Sequence, residues 1–435
     1  MNGIFFAIVL IAFLVAGWRE IRWQPPATGD AVSPMQALAN GMVETAGSSV
    51  TLAIGLIGVM ALFLGLMKVA EEGGMLTVIA KTIRPLMVRL FPEVPANHPA
   101  MGAMILNMSA NALGLGNAAT PFGIRAMQEL DKLNRYKGTA TNAMVLFLAV
   151  NTSSVTLLPT GVIALRAAAG STDPAGILPT TLFATVCSTT VAILMCLFLQ
   201  RRWKSAADVT PAEDISDEGA PGGDGEVLPD IADEAYPGWV SALVLAGIVA
   251  LIPLTILYGR DISPWIIPGL MVALLGFGVV KKVRVYEAFV EGAKDGFNVA
   301  IRIIPYLVAI LVAVGMFRSS GALEVFITGI APITALFGMP AEALPMALLR
   351  PLSGSGAYGV LASIIQDPSI GPDSYAGYLV STLQGSTETT FYVLAVYFGA
   401  VQIRRIRHAL VAALCADAAG IAGAVLICSW LYGSL

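Results

Sequence analysis

The sequence predicts an all-α integral membrane protein, a polytopic helical bundle of two pseudo-symmetric repeats with broken or re-entrant half-helices. Three observations predict it. Of 435 residues, 56% are hydrophobic and only 12% charged, about half the charged share of a soluble globular chain. Such a composition cannot coat a soluble core, but it suits lipid, where apolar faces need no polar cover. Apolar runs of spanning length recur along the chain. Polar interruptions then fall at matching places in its two halves.

Uninterrupted apolar runs occupy about 2–18, 48–70, 177–199, 238–258, 264–280, 299–317 and 409–432. A bilayer-spanning helix needs roughly 20 such residues, so each of these runs is read as a span. The first run has no basic residue before it and meets Arg19 and Glu20 after it, so it reads as a retained helix and not as a cleaved leader. Residues 75–91 are amphipathic, with Lys81, Arg84 and Arg89 near one side, as expected of a helix lying at the membrane interface. Residues 322–337 are its less charged counterpart.

Four further stretches, 100–127, 139–169, 343–366 and 376–403, are apolar but broken by Gly, Pro, Asn, Ser and Thr. They are expected to form half-helices and unwound segments. Irregular backbone survives at membrane depth only where protein or a water-filled cavity covers it. Residues 205–237 carry ten acidic residues and no Lys or Arg, the composition of a disordered linker outside the membrane. The predicted organisation is therefore a half at 1–204, a linker at 205–237 and a half at 238–435. Basic clusters at Arg201, Arg202 and Lys204 and at Lys281, Lys282 and Arg284 are separated by two apolar runs that return the chain to one side. The excess of positive charge places that side, and the linker, in the cytoplasm.

The halves share a pattern. MKVAEEGGML at 67–76 aligns with MFRSSGAL at 316–323, Pro85 with Pro332, Asn107 with Arg350, and NTSSVT at 151–156 with QGSTET at 384–389. Repeats whose helices break at corresponding places are a transporter signature, and the breaks point to the substrate site. A membrane scaffold made by duplication is the plainer alternative.

Long motifs carry a family resemblance. HPAMGAMILNMSANALGLGNAATPFGIRAMQ at 98–128 and FLAVNTSSVTLLPTGVIALR at 147–166 resemble spore maturation protein A. LRPLSGSGAYGVL at 349–361 and QGSTETTFYVLAVYFGAVQIRR at 384–405 resemble spore maturation protein B. Each half is similar to the nucleoside-recognition gate domain. The resemblance implies a multi-pass protein of the bacterial plasma membrane with a transport function, and two proteins that are elsewhere separate joined here in one chain.

Polar groups at membrane depth are costly and so are candidate functional groups. Asn107, Asn111 and Asn117 lie in NMSANALGLGNAATP, and Asn107 and Asn111, four apart, share one helix face. Joining helices by hydrogen bonds is the alternative role for these amides. Asn151, Thr152, Ser153 and Ser154, and Gln384, Ser386, Thr387, Glu388 and Thr389, occupy equivalent breaks expected to converge on one central site. They could instead only satisfy backbone groups freed near Pro159. Arg350, Ser353 and Ser355 lie in RPLSGSGAYG; with Pro351 next to it, Arg350 is expected to open a half-helix whose amides and guanidinium suit an anion. A structural Arg350–Glu388 pair is the competing reading. Asp417, an acid inside a spanning run, is either a proton or cation coupling site or a partner for a buried base.

The four cysteines, Cys187, Cys196, Cys415 and Cys428, form no CxxC pair, and free thiols are expected. Two histidines and no HExxH, GxSxG or Cys/His constellation argue against an enzyme, a metal centre or a cofactor. The net charge of −4 is not pooled into a basic patch, and no nucleic-acid partner is expected. The expected partners are the lipid bilayer and a small polar solute, and a homo-oligomer is compatible with the sequence. A zwitterion such as an amino acid is favoured as the solute, because it would use both Arg350 and Glu388, with a nucleoside next. A structural or regulatory complex acting on the cell envelope or spore core, or an enzyme on cell-wall precursors, are the alternatives.

Overall fold

A computed structural model describes residues 2–24, 32–114, 116–153, 156–203 and 236–433. The acidic stretch 205–237 lies outside the described residues except for its last two. Among the described residues every regular element is helical. The first half runs α1 (Asn2–Ile21), α2 (Pro34–Glu72), α3 (Met75–Leu90), α4 (Pro99–Ala112), α5 (Gly116–Leu133), α6 (Asn142–Ser153), α7 (Thr160–Ala168) and α8 (Ile177–Leu199). The second runs α9 (Gly238–Val280), α10 (Val285–Ser319), α11 (Ala322–Ala335), a 3-10 turn at Ala341–Ala343 leading into α12 (Leu344–Leu349), then α13 (Gly354–Ile365), α14 (Tyr375–Ser386), α15 (Thr390–Ala400) and α16 (Ala409–Tyr432). All four of the interrupted stretches are therefore helix–break–helix units, at α4–α5, α6–α7, α12–α13 and α14–α15.

Local chemistry sets these boundaries. The Ser33 hydroxyl caps α2 by accepting from the Gln36 N–H, with Pro34 at the first helical position, where its missing N–H costs nothing. His98 caps α4 in the same way, its Nδ1 accepting from the Ala100 N–H ahead of Pro99. The chain leaves α2 through Gly74 and α10 through Gly321, both at φ +79°, a left-handed turn that glycine makes without strain. The same device stands at the same place in both halves.

By length and composition α2, α8 and α16 can cross a membrane, and α10 and α11 form a pair bent by 83°. The runs 238–258 and 264–280 form one helical element, α9. A straight helix of 43 residues would span about 64 Å. Yet Tyr236, just before it, donates its N–H to Lys81 O on α3, while Phe277 and Gly278 lie against Gly73 and Val69. The start of α9 thus meets α3 and its end meets α2.

The repeats are inverted. Along α2 and α10, Gly41 lies against Ser319, Thr45 against Gly315, Ala61 against Gly296 and Gly65 against Phe289. Numbers rise on one helix as they fall on the other, so these corresponding helices are antiparallel. The same holds for α8 and α16: the Tyr432 hydroxyl donates to Gly176 O, Ser188 Oγ donates to Ala416 O, and the Trp203 ring lies 6.0 Å from His408. Equivalent helices that cross antiparallel are related by a pseudo-two-fold axis in the plane of the bilayer. Small residues line the α2–α10 seam, where van der Waals contact and not the hydrophobic effect holds helices together.

The cores interleave the halves. Val393, Leu394, Tyr397 and Phe398 of α15 pack in one cluster with α4 and α6. Val162, Ile163, Ala164 and Leu165 of α7 pack in another with α13 and α14. The second halves of the α6–α7 and α14–α15 units are therefore embedded in the opposite repeat. Arg84, expected on the polar side of α3, is instead buried and donates to Ala96 O and Asn97 Oδ1, because the loop ahead of α4 folds over it.

Candidate functional site

The four breaks meet. The Leu157 N–H donates to Ala112 O, joining the α6–α7 break to the end of α4, and Phe391 N–H donates to Pro351 O, joining the α14–α15 break to the end of α12. Each repeat thus joins its own two breaks through a backbone bond. A third, from Glu388 N–H to Thr152 O at 2.8 Å, joins the repeats to each other. Close packing requires glycine here. A Cβ on Gly114 (φ +74°) would lie 2.6 Å from Leu158 O, and one on Gly354 would lie 2.8 Å from Thr389 Oγ1.

On the first-repeat side an amide cluster forms. Asn107, fully buried, donates from Nδ2 to Ala119 O at 2.7 Å and to the Tyr397 hydroxyl at 3.1 Å. Asn111 donates to Asn151 Oδ1 at 2.9 Å, and Tyr397 donates to that same oxygen at 3.4 Å. Asn151 spends its own N–H on Phe147 O, and the Phe147 ring stacks on Tyr397 with centroids 6.0 Å apart. The shared face of Asn107 and Asn111 is thus turned on Asn151. Tyr397, from the other repeat, is a member that the sequence did not single out. Asn107 Oδ1 has no partner.

Thr152, Ser153 and Ser386 turn their hydroxyls back on their own helices, to Ala149 O, Val150 O and Leu383 O. These three fit the backbone-satisfying alternative, although the Thr152 carbonyl serves the junction. Asn117 and Ser154 lie outside the residues whose side chains are described. Gln384 follows α14 toward the break with its Oε1 buried and unpartnered.

Arg350 corrects an expectation. It does not open a half-helix: it is the C-cap of α12, its N–H bonded to Met346 O, and α13 begins at Gly354 with Ser353 as N-cap. Arg350 itself keeps helical geometry, at φ −55° and ψ −48°, although Pro351 follows it. Ser355 is exposed on the first turn of α13. The buried guanidinium donates to Thr389 Oγ1 and to Thr387 O, so it holds the α14–α15 break in place. Glu388 lies 3.7 Å away with its side chain 47% exposed, close enough to pair but beyond hydrogen-bond reach. Asp417, 3% exposed, accepts from the Thr390 hydroxyl at 2.7 Å through Oδ2, and its Oδ1 has no partner.

A second constellation, missed in the sequence, ties the repeats together at one end. Arg166 of α7, fully buried, donates to Pro372 O, Asp173 O, Ser171 Oγ, Ser381 Oγ and Asp373 Oδ1, and lies over the Tyr378 ring. Burial acts to raise the Asp373 carboxyl, but hydrogen bonds from Ser171 and Thr172 and the Arg166 charge outweigh it and hold it below the usual carboxylate range. At the symmetry-related end backbone makes most of the contact: Arg404 and Arg405 N–H donate to Gly138 O, and Ala140 N–H donates to Arg405 O, while the Arg407 guanidinium donates to Ala140 O.

The family described as "Gate: Nucleoside recognition" matches residues 53–169 and 300–404, one segment in each half. Spore maturation protein B of Bacillus subtilis is 48% identical over 168 residues, which are 39% of this chain and 93% of that protein. Spore maturation protein A of the same organism is 42% identical over 170 residues, 39% of this chain and 87% of that protein. The inner membrane protein YjiG of Escherichia coli K12 is 33% identical over 82 residues, 19% of this chain and 54% of that protein. Among solved structures, CNTnw in an outward-facing state aligns over 100% of both chains at 11% identity and a TM-score of 0.43. The YdaH transporter of Alcanivorax borkumensis aligns over 99% of this chain and 98% of its own at 15% identity and a TM-score of 0.36. With both gate repeats in one polypeptide, the chain belongs to the nucleoside-recognition gate family, alongside spore maturation proteins A and B.

Proposed function

We propose that the chain is a membrane transporter whose solute binds where the four breaks meet. One observation carries this reading: buried polar atoms without partners, Asn107 Oδ1, Gln384 Oε1, Arg350 Nε and Asp417 Oδ1, gather on or beside the breaks. Buried polar groups are nearly always satisfied, and open valences on unwound backbone at membrane depth are what a polar ligand would complete. The role is carriage and not catalysis.

The arrangement favours a neutral solute rich in hydroxyl or ring hydrogen-bonding groups, of which a nucleoside is the first candidate. Asn107, Asn111, Asn151 and Tyr397 offer donors and acceptors beside an aromatic pair, while the Arg350 fork is spent on Thr387 and Thr389. The zwitterion remains as a second reading because Glu388 presents a half-exposed carboxylate near Arg350. We place the end of α8, the end of α9 and the α15–α16 loop on one side of the membrane. That side gathers Arg201, Arg202, Lys281, Lys282, Arg284, Arg404, Arg405 and Arg407, and we assign it, with the acidic linker, to the cytoplasm.

The test is a thermal-shift series on the purified chain with nucleosides and with amino acids. A ligand at 100 times its Kd stabilises by about 2.7 kcal/mol. A shift with nucleosides that Asn151→Ala abolishes supports the proposal, and a shift with amino acids alone supports the second reading. No shift with either, together with no uptake into proteoliposomes, would sink the transporter assignment.

A further inference from the structure

The residues around Asp417 carry a charge imbalance. Elements packed against α16 are α8, α6, α14 and α15, and none of them contains a charged residue. Their titratable groups are thiols and phenols: Cys187 against Gly423, Tyr378 stacked on Tyr432 toward the far end, Tyr397 in the amide cluster, and Cys196, Tyr375 and Tyr392 elsewhere on those helices. The charged groups near Asp417 are therefore those of the adjoining breaks, Arg350 and Glu388. A relay connects them. Arg350 bonds Thr389, and the next residue, Thr390, bonds Asp417. One guanidinium thus serves two carboxylates. Glu388 is half-exposed and keeps its charge in water, whereas Asp417 is buried with one oxygen unpartnered. A buried carboxylate with a single hydrogen bond is expensive, and it sheds that cost by taking a proton.

We propose that Asp417 is the proton-binding residue of the transport cycle, loaded at Oδ1 and linked to the solute site through Thr390 and the α14–α15 break. This rests on the transporter reading and names its coupling ion. A proton leaves hydronium on one side of the membrane and forms an O–H bond at Oδ1. The carboxylate becomes neutral, and on release the proton passes to water on the opposite side. Loading weakens the hydrogen bond from Thr390, since a neutral acceptor binds a hydroxyl less strongly than a charged one. Thr390 is the first residue of α15, so the change falls on the segment that Arg350 clamps. A metal cation is the poorer occupant. Among the described residues no three acidic, histidine or cysteine side chains converge, and hard cations need several oxygen ligands, whereas a proton needs one.

The test is an infrared pH titration of the full chain in lipid. A carbonyl band of a buried protonated carboxyl should be present at low pH, disappear as pH rises, and be missing in D417N. T390V keeps the carboxyl but removes the hydrogen bond to its charged form, so the midpoint should move to higher pH. T390V carries the test even if D417N does not fold. A band that persists in D417N, or a midpoint that T390V leaves in place, overturns the inference. With a transported solute in proteoliposomes, a trapped pH dye should report proton movement that D417N abolishes. Solute uptake without proton movement refutes the coupling while the transporter reading stands. An Asp417 band without uptake of any solute leaves the proton site intact and refutes that reading.

Discussion

Glu388 donates its backbone N–H to the carbonyl of Thr152 at 2.8 Å, and this bond joins the interruption of one repeat to that of the other. The two residues belong to equivalent strings, so the bond lies close to the pseudo-two-fold axis. Any movement of one repeat against the other strains or breaks it. Around it the pseudo-symmetry fails in a useful way: the first repeat offers amides and the second a guanidinium with two carboxylates. The proposed solute site would thus have one neutral and one charged side.

The α2–α10 seam should tolerate no added carbon at its glycines. A Cβ on Gly296 would lie 2.6 Å from Ala61 Cα and 2.7 Å from Met60 O, and backbone cannot give way as a flexible side chain can. Gly296→Ala is expected to lower stability by about 1–3 kcal/mol through overpacking, read as a lower melting temperature in detergent. Gly329→Ala, at a position with open space around it, should leave the melt unchanged. Equal behaviour of the two variants would refute the seam.

Arg350 is expected to act on the fold before it acts on any solute. Its two contacts, to Thr387 O and Thr389 Oγ1, need the planar fork that lysine lacks. Arg350→Lys should therefore destabilise the chain almost as much as Arg350→Ala, by about 1.5–3 kcal/mol for lost charged hydrogen bonds. A lysine variant that melts with the wild type would show that the guanidinium does not fix the break.

The runs at 48–70, 177–199 and 409–432 and the four breaks were legible in the sequence because their causes are local: apolar length, and Gly, Pro, Ser and Thr at the interruptions. The face shared by Asn107 and Asn111 was legible for the same reason. Its partner Tyr397 was not, because nothing near VLAVYFGA signals an aromatic that crosses into the other repeat. Arg166 and Asp373 were hidden likewise, each looking like an ordinary residue at a helix or loop until the fold places them together. Arg350 misled because Arg-Pro can begin a helix or end one, and only the position of Ser353 decides between them.

Gly123 should behave as a residue of the solute site although it has no side chain. A Cβ there would lie 2.1 Å from the Tyr397 hydroxyl oxygen, so Gly123→Ala must displace the phenol from Asn107 and Asn151. One neutral hydrogen bond is worth about 1 kcal/mol, so solute affinity should fall about fivefold, and Tyr397→Phe should match it. Isothermal titration of both variants decides the matter. Wild-type affinity in Gly123→Ala would mean that the phenol takes no part in binding.

The Arg166–Asp373 contact should make the protein acid-labile in a defined window. The Asp373 carboxyl is held below its ordinary value despite burial, chiefly by Ser171, Thr172 and Arg166. The unfolded chain therefore binds a proton more readily than the folded one, and stability rises with pH over the interval between the two values. The contribution is complete above the unfolded value of about 3.9 and is lost as pH falls through the lower folded value. Asp373→Asn should remove this acid sensitivity, so that melting temperature falls less steeply below about pH 4 than in the wild type. At neutral pH the same variant should cost about 1.5–3 kcal/mol, toward the lower end because the carboxylate is 31% exposed. Arg166→Ala should cost more, since it strips five acceptors of one donor group, and the double variant should cost less than the sum of the two. Additive losses and an unchanged acid limb in Asp373→Asn would show that the pair does not hold the repeats together at this end.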